Sequence, residues 1–230
     1  KSNSAIKSIK NERSMGIKSF KSKTGFDNKL DQRLIKSIFK IKKNNEKIML
    51  DINQGWDLKK ANFYIKKISK YPIFWIEEPI SARSSEKEYL NLIKNSKVNL
   101  ALGENVYNEN LITNFLKNKY LKFFQPDITK YGGITLVNKY INSKYKNKIY
   151  LHFLGSGVGL ITSAHMMSAI NSNGLLETDF NENPLRDSIF NETIKITNGK
   201  IYLNNKPGLG FTLNKKIIKK YITNKFTFKA

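Results

Sequence analysis

The 230 residues include no cysteine, which excludes disulfides and thiolate metal sites and fits a cytoplasmic setting. Acidic residues are scarce: 18 Asp plus Glu stand against 41 Lys plus Arg, a formal net charge of +23. No apolar run reaches the roughly 18 residues of a membrane span. The start, Lys1-Ser-Asn-Ser-Ala-Ile-Lys7, has no initiator Met and no apolar stretch long enough for a signal peptide. It reads as a chain entered partway through. What is present is 40% hydrophobic, enough for one large domain with its own core.

A charge of this size first suggests a nucleic-acid partner. The lysines, however, are spread from Lys7 through Lys40, Lys70, Lys97 and Lys146 to Lys219 and form no block. They accompany abundant Asn and Ile, the residues that AAA, AAT and ATA codons supply. A biased, solvated surface is therefore the expectation. A basic nucleic-acid-binding protein stands as the rival from a different class. Against so few acids, the position of each one carries information.

Short apolar runs recur: Ile17–Lys23, Lys47–Asn53, Ile73–Glu77, Asn99–Glu104, Leu121–Asp127, Ile149–Phe153 and Gly174–Thr178. Between them, segments such as Leu58–Tyr71, Leu111–Lys119, Thr135–Tyr145 and Val158–Ser172 have the spacing of amphipathic helices. Strand alternating with helix predicts βα units and a parallel sheet. Seven units fall one short of a closed eightfold barrel, and a helical stretch, Ser2–Ser14, precedes the first run. The expectation is an α/β fold, a (β/α) barrel of TIM type lacking its first strand. Residues 1–190 would form this incomplete barrel and 191–230 a C-terminal segment. Within that segment, Ile194–Leu213 has the look of a hairpin around Asn198-Gly199.

Each run ends on a polar residue: Lys23, Asp51, Glu77, Glu104, Asp127, His152 and Glu177, spaced 23 to 28 residues apart. Five of the 18 acids and one of the two histidines thus occupy one equivalent point of the repeat. In a barrel the C-terminal strand ends converge on the active-site mouth. Asp51, Glu77 and Glu104 come from successive strands, and three converging carboxylates suit a hard divalent cation. Alternatively, such acids cap the following helices. Glu77 and Glu78 face opposite ways, and the pattern does not say which points inward. Lys21 and Lys23 share a face, and their repulsion would lower the proton affinity of one of them. Asp127 and His152 end adjacent strands, the arrangement of an imidazole held by a carboxylate. Glu177 could donate a hydrogen bond from a dry site, or act as another cap. His165, inside a helical stretch, reads as packing. Gly155-Ser156-Gly157-Val158-Gly159 lacks a full dinucleotide fingerprint and reads as a tight loop opening a helix.

These stretches, taken in order, resemble the mandelate racemase group of the enolase superfamily. The matching pieces are Gly16-Ile-Lys-Ser-Phe-Lys-Ser-Lys-Thr-Gly25, Leu50-Asp-Ile-Asn-Gln-Gly-Trp56, Trp75-Ile-Glu-Glu-Pro79, Gly103-Glu-Asn105 and Gln125-Pro-Asp-Ile-Thr-Lys-Tyr-Gly-Gly-Ile-Thr135. His152-Phe-Leu-Gly-Ser-Gly-Val-Gly-Leu160, Leu175-Leu-Glu-Thr-Asp179, Asn183-Pro-Leu-Arg-Asp187 and Pro207-Gly-Leu-Gly-Phe211 complete the set. The resemblance implies a modified barrel with Mg²⁺ on Asp51, Glu77 and Glu104, and substrate contact at Asn53. It implies Lys23, assisted by Lys21, as base on one substrate face and the His152–Asp127 dyad on the other. Glu177 would hydrogen-bond the enolate oxygen. The cycloisomerase and dipeptide epimerase branch is less similar, having Lys where this chain has Asp127. The resemblance implies an α+β capping domain and a first barrel strand ahead of the stretch that begins at Lys1, and the C-terminal segment would pack near that cap.

The implied reaction is Mg²⁺-dependent removal of the proton beside a carboxylate, through an enolate, by a protein that is a homo-oligomer when complete. Loss of a β-hydroxyl would make it an acid-sugar dehydratase, the favoured expectation. Reprotonation on the opposite face would make it a racemase or epimerase of a 2-hydroxy acid, and a chain inactive by itself is the third possibility. The substrate would be a small carboxylate, a sugar acid or 2-hydroxy acid, with no membrane or nucleic-acid partner.

Overall fold

A computed structural model describes residues 2–141, 144–170 and 174–227. Helix α1, Ser2–Ser14, leads into strand β1, Ser19–Lys23. Four further strand–helix units follow: α2 (Asn28–Ile41) and β2 (Lys47–Asp51), α3 (Leu58–Ile68) and β3 (Trp75–Glu77), α4 (Glu86–Asn95) and β4 (Leu100–Leu102), α5 (Glu109–Lys117) and β5 (Phe123–Phe124). The five strands pair in parallel in sequence order. Such sheets lie between helices and are buried on both faces, and β2, β3, β4 and β5 are apolar almost throughout. Alternate residues feed two packing layers. Leu50, Ile76, Leu102 and Phe124 face the helices, beside Ile65, Leu92 and Phe115. Met49, Trp75, Ala101 and Phe123 line the other face, with Tyr150 and Leu175 against them. That second layer is the barrel interior.

The sixth expected strand, Ile149–Phe153, extends the sheet through single parallel bridges, Phe124 to Ile149 and Asp127 to His152. The seventh run, Gly174–Thr178, forms no ladder, contrary to expectation. One reason is chemical: the Phe153 N–H is taken by the Glu177 side chain, Oε2 at 3.3 Å, rather than by a neighbouring backbone carbonyl. Leu175 and Leu176 still pack into the interior and outer layers.

Helix α6 covers Ile134–Ile141 and α7 covers Gly157–Ile170. Positions 142–143 and 171–172 of the expected helices lie outside the described residues. The expectation that α7 is amphipathic fails. Gly157, Leu160, Ile161, Ala164, Met166, Met167 and Ile170 are buried around its whole circumference, because it is covered on the outside as well. The covering comes from α8 (Pro184–Asp187), α9 (Lys215–Tyr221) and the hairpin β6–β7 (Ile196–Thr197, Lys200–Ile201), whose apolar residues pack with Ile161 and Phe190. His165 reaches Leu209 O at 3.2 Å, a packing contact as expected. Asn198 and Gly199 turn the hairpin with φ of 53° and 71°. The turn lies so close to Gly16 that the Gly199 N–H donates to Met15 O at 2.6 Å, and a Cβ on either glycine would meet backbone.

Capping separates structural acids from the rest. Helices α2, α3, α4 and α5 are capped by Asp27, Asp57, Ser85 and Asn108, whose side chains accept first-turn N–H groups. Ser85 and Glu88 form a full capping box. The strand-end carboxylates Asp51, Glu77 and Glu104 are therefore not the caps of these helices. Among the described residues no helix is long and apolar enough to cross a membrane.

Candidate active site

Lys23, Asp51 and Glu77 are register partners at the C-terminal ends of β1, β2 and β3. Glu104 follows β4 across Gly103, whose φ is +153°. A Cβ at Gly103 would stand 2.5 Å from the Gln125 backbone, so only glycine lets the chain turn here and deliver Glu104 to the mouth. Asp127 and His152 are paired by their bridge, and Glu177 arrives from the last run. Asp51, Glu77, Glu104, Asp127 and His152 are all buried.

The alternation left open at Glu77 and Glu78 is resolved. Glu77 points into the interior, as Trp75 does, and the two touch: Trp75 Nε1 donates to Glu77 Oε2 at 3.2 Å. Glu78, in a left-handed conformation with φ of 39°, turns to Asn105, whose Nδ2 lies 3.0 and 2.9 Å from its two oxygens. Burial, and then the Glu104 charge, push the Glu78 carboxyl up to about 8.

Lys21 bridges Glu77 Oε1 at 2.6 Å and Glu177 Oε1 at 2.5 Å, linking the first strand to the last run. The expected softening of a lysine by its neighbour is not found at Lys21. Burial works against its charge, but Glu77, Glu177 and Asp51 outweigh burial and hold the ammonium well above its usual range. The carboxylates around it favour the ammonium form. Lys23 is largely exposed, 3.6 Å from Asp51 Oδ2. Asp51 is raised by burial and then by repulsion from Glu77. Its Oδ1 accepts the N–H of Asn53, an exposed residue in a left-handed turn at the mouth.

His152 sits between two carboxylates. Nδ1 is 2.8 Å from Asp127 Oδ2 and Nε2 is 2.7 Å from Glu104 Oε2. Burial opposes the charge, yet Asp127 and Glu104, with Glu177 behind them, raise the imidazole to about 10. Asp127 is fixed in turn by the Thr129 N–H and hydroxyl at 2.7 and 2.6 Å. Burial pushes the Glu177 carboxyl up, against the pull of Lys21.

Several participants escaped sequence reasoning. Lys130 reaches Glu104 Oε2 at 2.9 Å, and Gln125 Nε2 reaches Glu77 Oε2 at 2.9 Å. Gln125 stands two residues before Asp127, a spacing that marked its face. Nothing distinguished Lys130 among so many lysines.

Among the described residues, Glu77, His152 and Glu177 place one ligand atom each within 4.8 Å of one another, a group able to hold a metal ion. Asp51 and Glu104 are outside that group. Glu104 is drawn toward His152 and Lys130. The donor chemistry nevertheless suits a hard cation: neighbouring buried carboxylates repel, and oxygen ligands at adjoining strand ends match Mg²⁺.

A family model described as Enolase C-terminal domain-like matches residues 5–217. Arabinonate dehydratase of Saccharolobus solfataricus is 28% identical over 214 residues, covering 90% of this chain and 56% of that protein. L-talarate/galactarate dehydratase of Salmonella typhimurium is 28% identical over 92% of this chain and 51% of that protein. The crystal structure of a mandelate racemase/muconate lactonizing enzyme from Bordetella bronchiseptica superposes with a TM-score of 0.83 at 28% identity, over 95% of this chain and 62% of that one. The chain spans about half the length of the curated relatives it matches.

Proposed function

The chain belongs to the Enolase C-terminal domain-like family, and from that premise we propose that its mouth removes the α-proton of a sugar acid and expels the β-hydroxyl. The observation that carries this reading is the His152 dyad. With both ring nitrogens against carboxylates, the site favours the doubly protonated imidazole, with Nε2–H directed at Glu104 Oε2 beside the substrate space. A proton held there can be given to a leaving hydroxyl, the step that dehydration requires. Asp127, locked by Thr129, keeps the ring in that orientation.

Asp51, Glu77 and Glu104 would hold Mg²⁺, which supplies Lewis-acid polarisation of the substrate carboxylate. The half-buried Lys21 ammonium would add positive charge where negative charge develops on the substrate, and Glu177 would meet the enolate oxygen. Lys23, exposed at the end of β1 beside Asp51, would be the base on the substrate face opposite His152. If His152 instead acts in its neutral form, it and Lys23 as bases on opposite faces would support a second reading, racemisation or epimerisation of a 2-hydroxy acid. The two relatives with dehydratase names favour the first.

Incubating the chain with Mg²⁺ and a panel of aldonic and aldaric acids in D₂O tests both, read by proton NMR. Loss of the α-proton signal with a 2-keto-3-deoxy product supports dehydration. Exchange with inversion and no keto product supports racemisation. An α-proton retained in every acid would overturn the reading.

A further inference from the structure

Glu77 is gripped unequally at its two oxygens. Oε1 faces Lys21, an ammonium on a flexible stem shared with Glu177. Oε2 faces the barrel wall, where the Trp75 indole N–H and the Gln125 amide N–H converge at 3.2 and 2.9 Å. Trp75 and Gln125 are 4% and 3% exposed, and Trp75 is wedged among Phe74, Phe123 and Tyr150. Neither donor can swing away without opening the interior layer.

The Gln125 amide has one possible orientation, because only its NH₂ end can face a carboxylate oxygen. Its Oε1 is then buried with no hydrogen-bond partner among the described residues. A glutamine serving the fold alone would satisfy both ends, since an unpaired buried acceptor is destabilising. The fold also does not demand an acceptor for every buried indole: Trp56 Nε1 is buried without a partner. The Trp75 and Gln125 bonds therefore serve Glu77 and not general satisfaction of the core.

We propose that Trp75 and Gln125 are positioning residues that saturate Glu77 Oε2 and present Oε1 alone to the divalent cation. This rests on the reading of Glu77 as a cation ligand. Partners that orient a metal ligand typically change metal affinity about 10- to 100-fold when removed. Calorimetric Mg²⁺ affinity and the thermal midpoint should therefore separate in Gln125→Leu. Affinity should fall about 10-fold or more, while the midpoint falls only slightly, because loss of the donor to Glu77 is offset in part by removal of the unpaired acceptor.

The two tryptophans supply an internal control. In the ¹⁵N-labelled chain, assigned with Trp56→Phe, Mg²⁺ should move the Trp75 indole N–H resonance and leave that of Trp56 in place. Trp75→Phe should weaken binding likewise, and if it does not fold, Gln125→Leu carries the test. Parental Mg²⁺ affinity in Gln125→Leu, or a variant already unfolding at the titration temperature so that lost affinity only follows lost fold, would overturn the proposal while leaving Glu77 as a ligand. Absence of Mg²⁺ binding by the parent would overturn the ligand reading and this proposal with it.

Discussion

Helix α1 is tied to the barrel by one ion pair whose removal should be felt in global stability. Arg13 Nε and Nη2 donate to the two Glu46 oxygens at 2.6 and 2.8 Å, and a further bond runs from Nη2 to Ile41 O at 2.7 Å. The Lys43 N–H also donates to Glu46. Glu46 immediately precedes β2, and its side chain is 2% exposed against 17% for Arg13. In Glu46→Gln the shape survives but Arg13 loses its counter-charge. Breaking a fully buried pair costs about 3–5 kcal/mol, and hydrogen bonds to charged groups are worth about 1.5–3 kcal/mol. Because Arg13 keeps some contact with water, about 2–3 kcal/mol is expected. For a chain of this size that is a fall of roughly 4–12 °C in melting temperature. The pH dependence supplies a second check. Burial pushes the Glu46 carboxyl up, but the Arg13 hydrogen bond, the Lys43 N–H and the nearby charges bring it below its usual value. Its contribution is complete above the unfolded value, about 4.3, and disappears as pH falls through the depressed folded value. Calorimetric melting of parent and variant should therefore differ most near neutrality and converge in acid. A variant melting with the parent at neutral pH, or a gap that persists unchanged in acid, would refute the reasoning.

Gly103→Ala should lower stability by about 1–3 kcal/mol from backbone strain alone, and by more if the Gln125 backbone must move, which chemical denaturation would measure. The same variant should weaken Mg²⁺ binding, since Gly103 delivers Glu104. Asp127→Asn should slow α-proton exchange on the His152 side as severely as His152→Asn, about 10²- to 10⁴-fold. Exchange from the Lys23 side should persist in both variants, and NMR in D₂O on separate enantiomers distinguishes the two sides.

The strand ends were legible because the parallel (β/α) unit imposes a fixed period, and Asp51, Glu77, Glu104, Asp127 and His152 fall on it. The rest depended on contacts that no period encodes. Glu77 and Glu78 became distinguishable only through Trp75, whose indole marks the interior face. The charge state of Lys21 depends on Glu77 and Glu177, 56 and 156 positions away in the chain, so its neighbour Lys23 was a poor guide. Lys130 was invisible because a lysine-rich composition hides a functional lysine. The last run failed as a strand because a side chain took the backbone donor a ladder would have used.

Asp51, Glu77 and Glu104, at adjoining strand ends, are the proposed ligands of a divalent cation. Mg²⁺ titration calorimetry on the chelator-treated chain, with Asp51→Asn, Glu104→Gln, Glu177→Gln and His152→Asn beside it, tests this most directly. With those ligands, binding by the parent should be saturable, lost in Asp51→Asn and Glu104→Gln and largely kept in Glu177→Gln and His152→Asn. The reverse pattern would contradict it, moving the ion to the group formed by Glu77, His152 and Glu177.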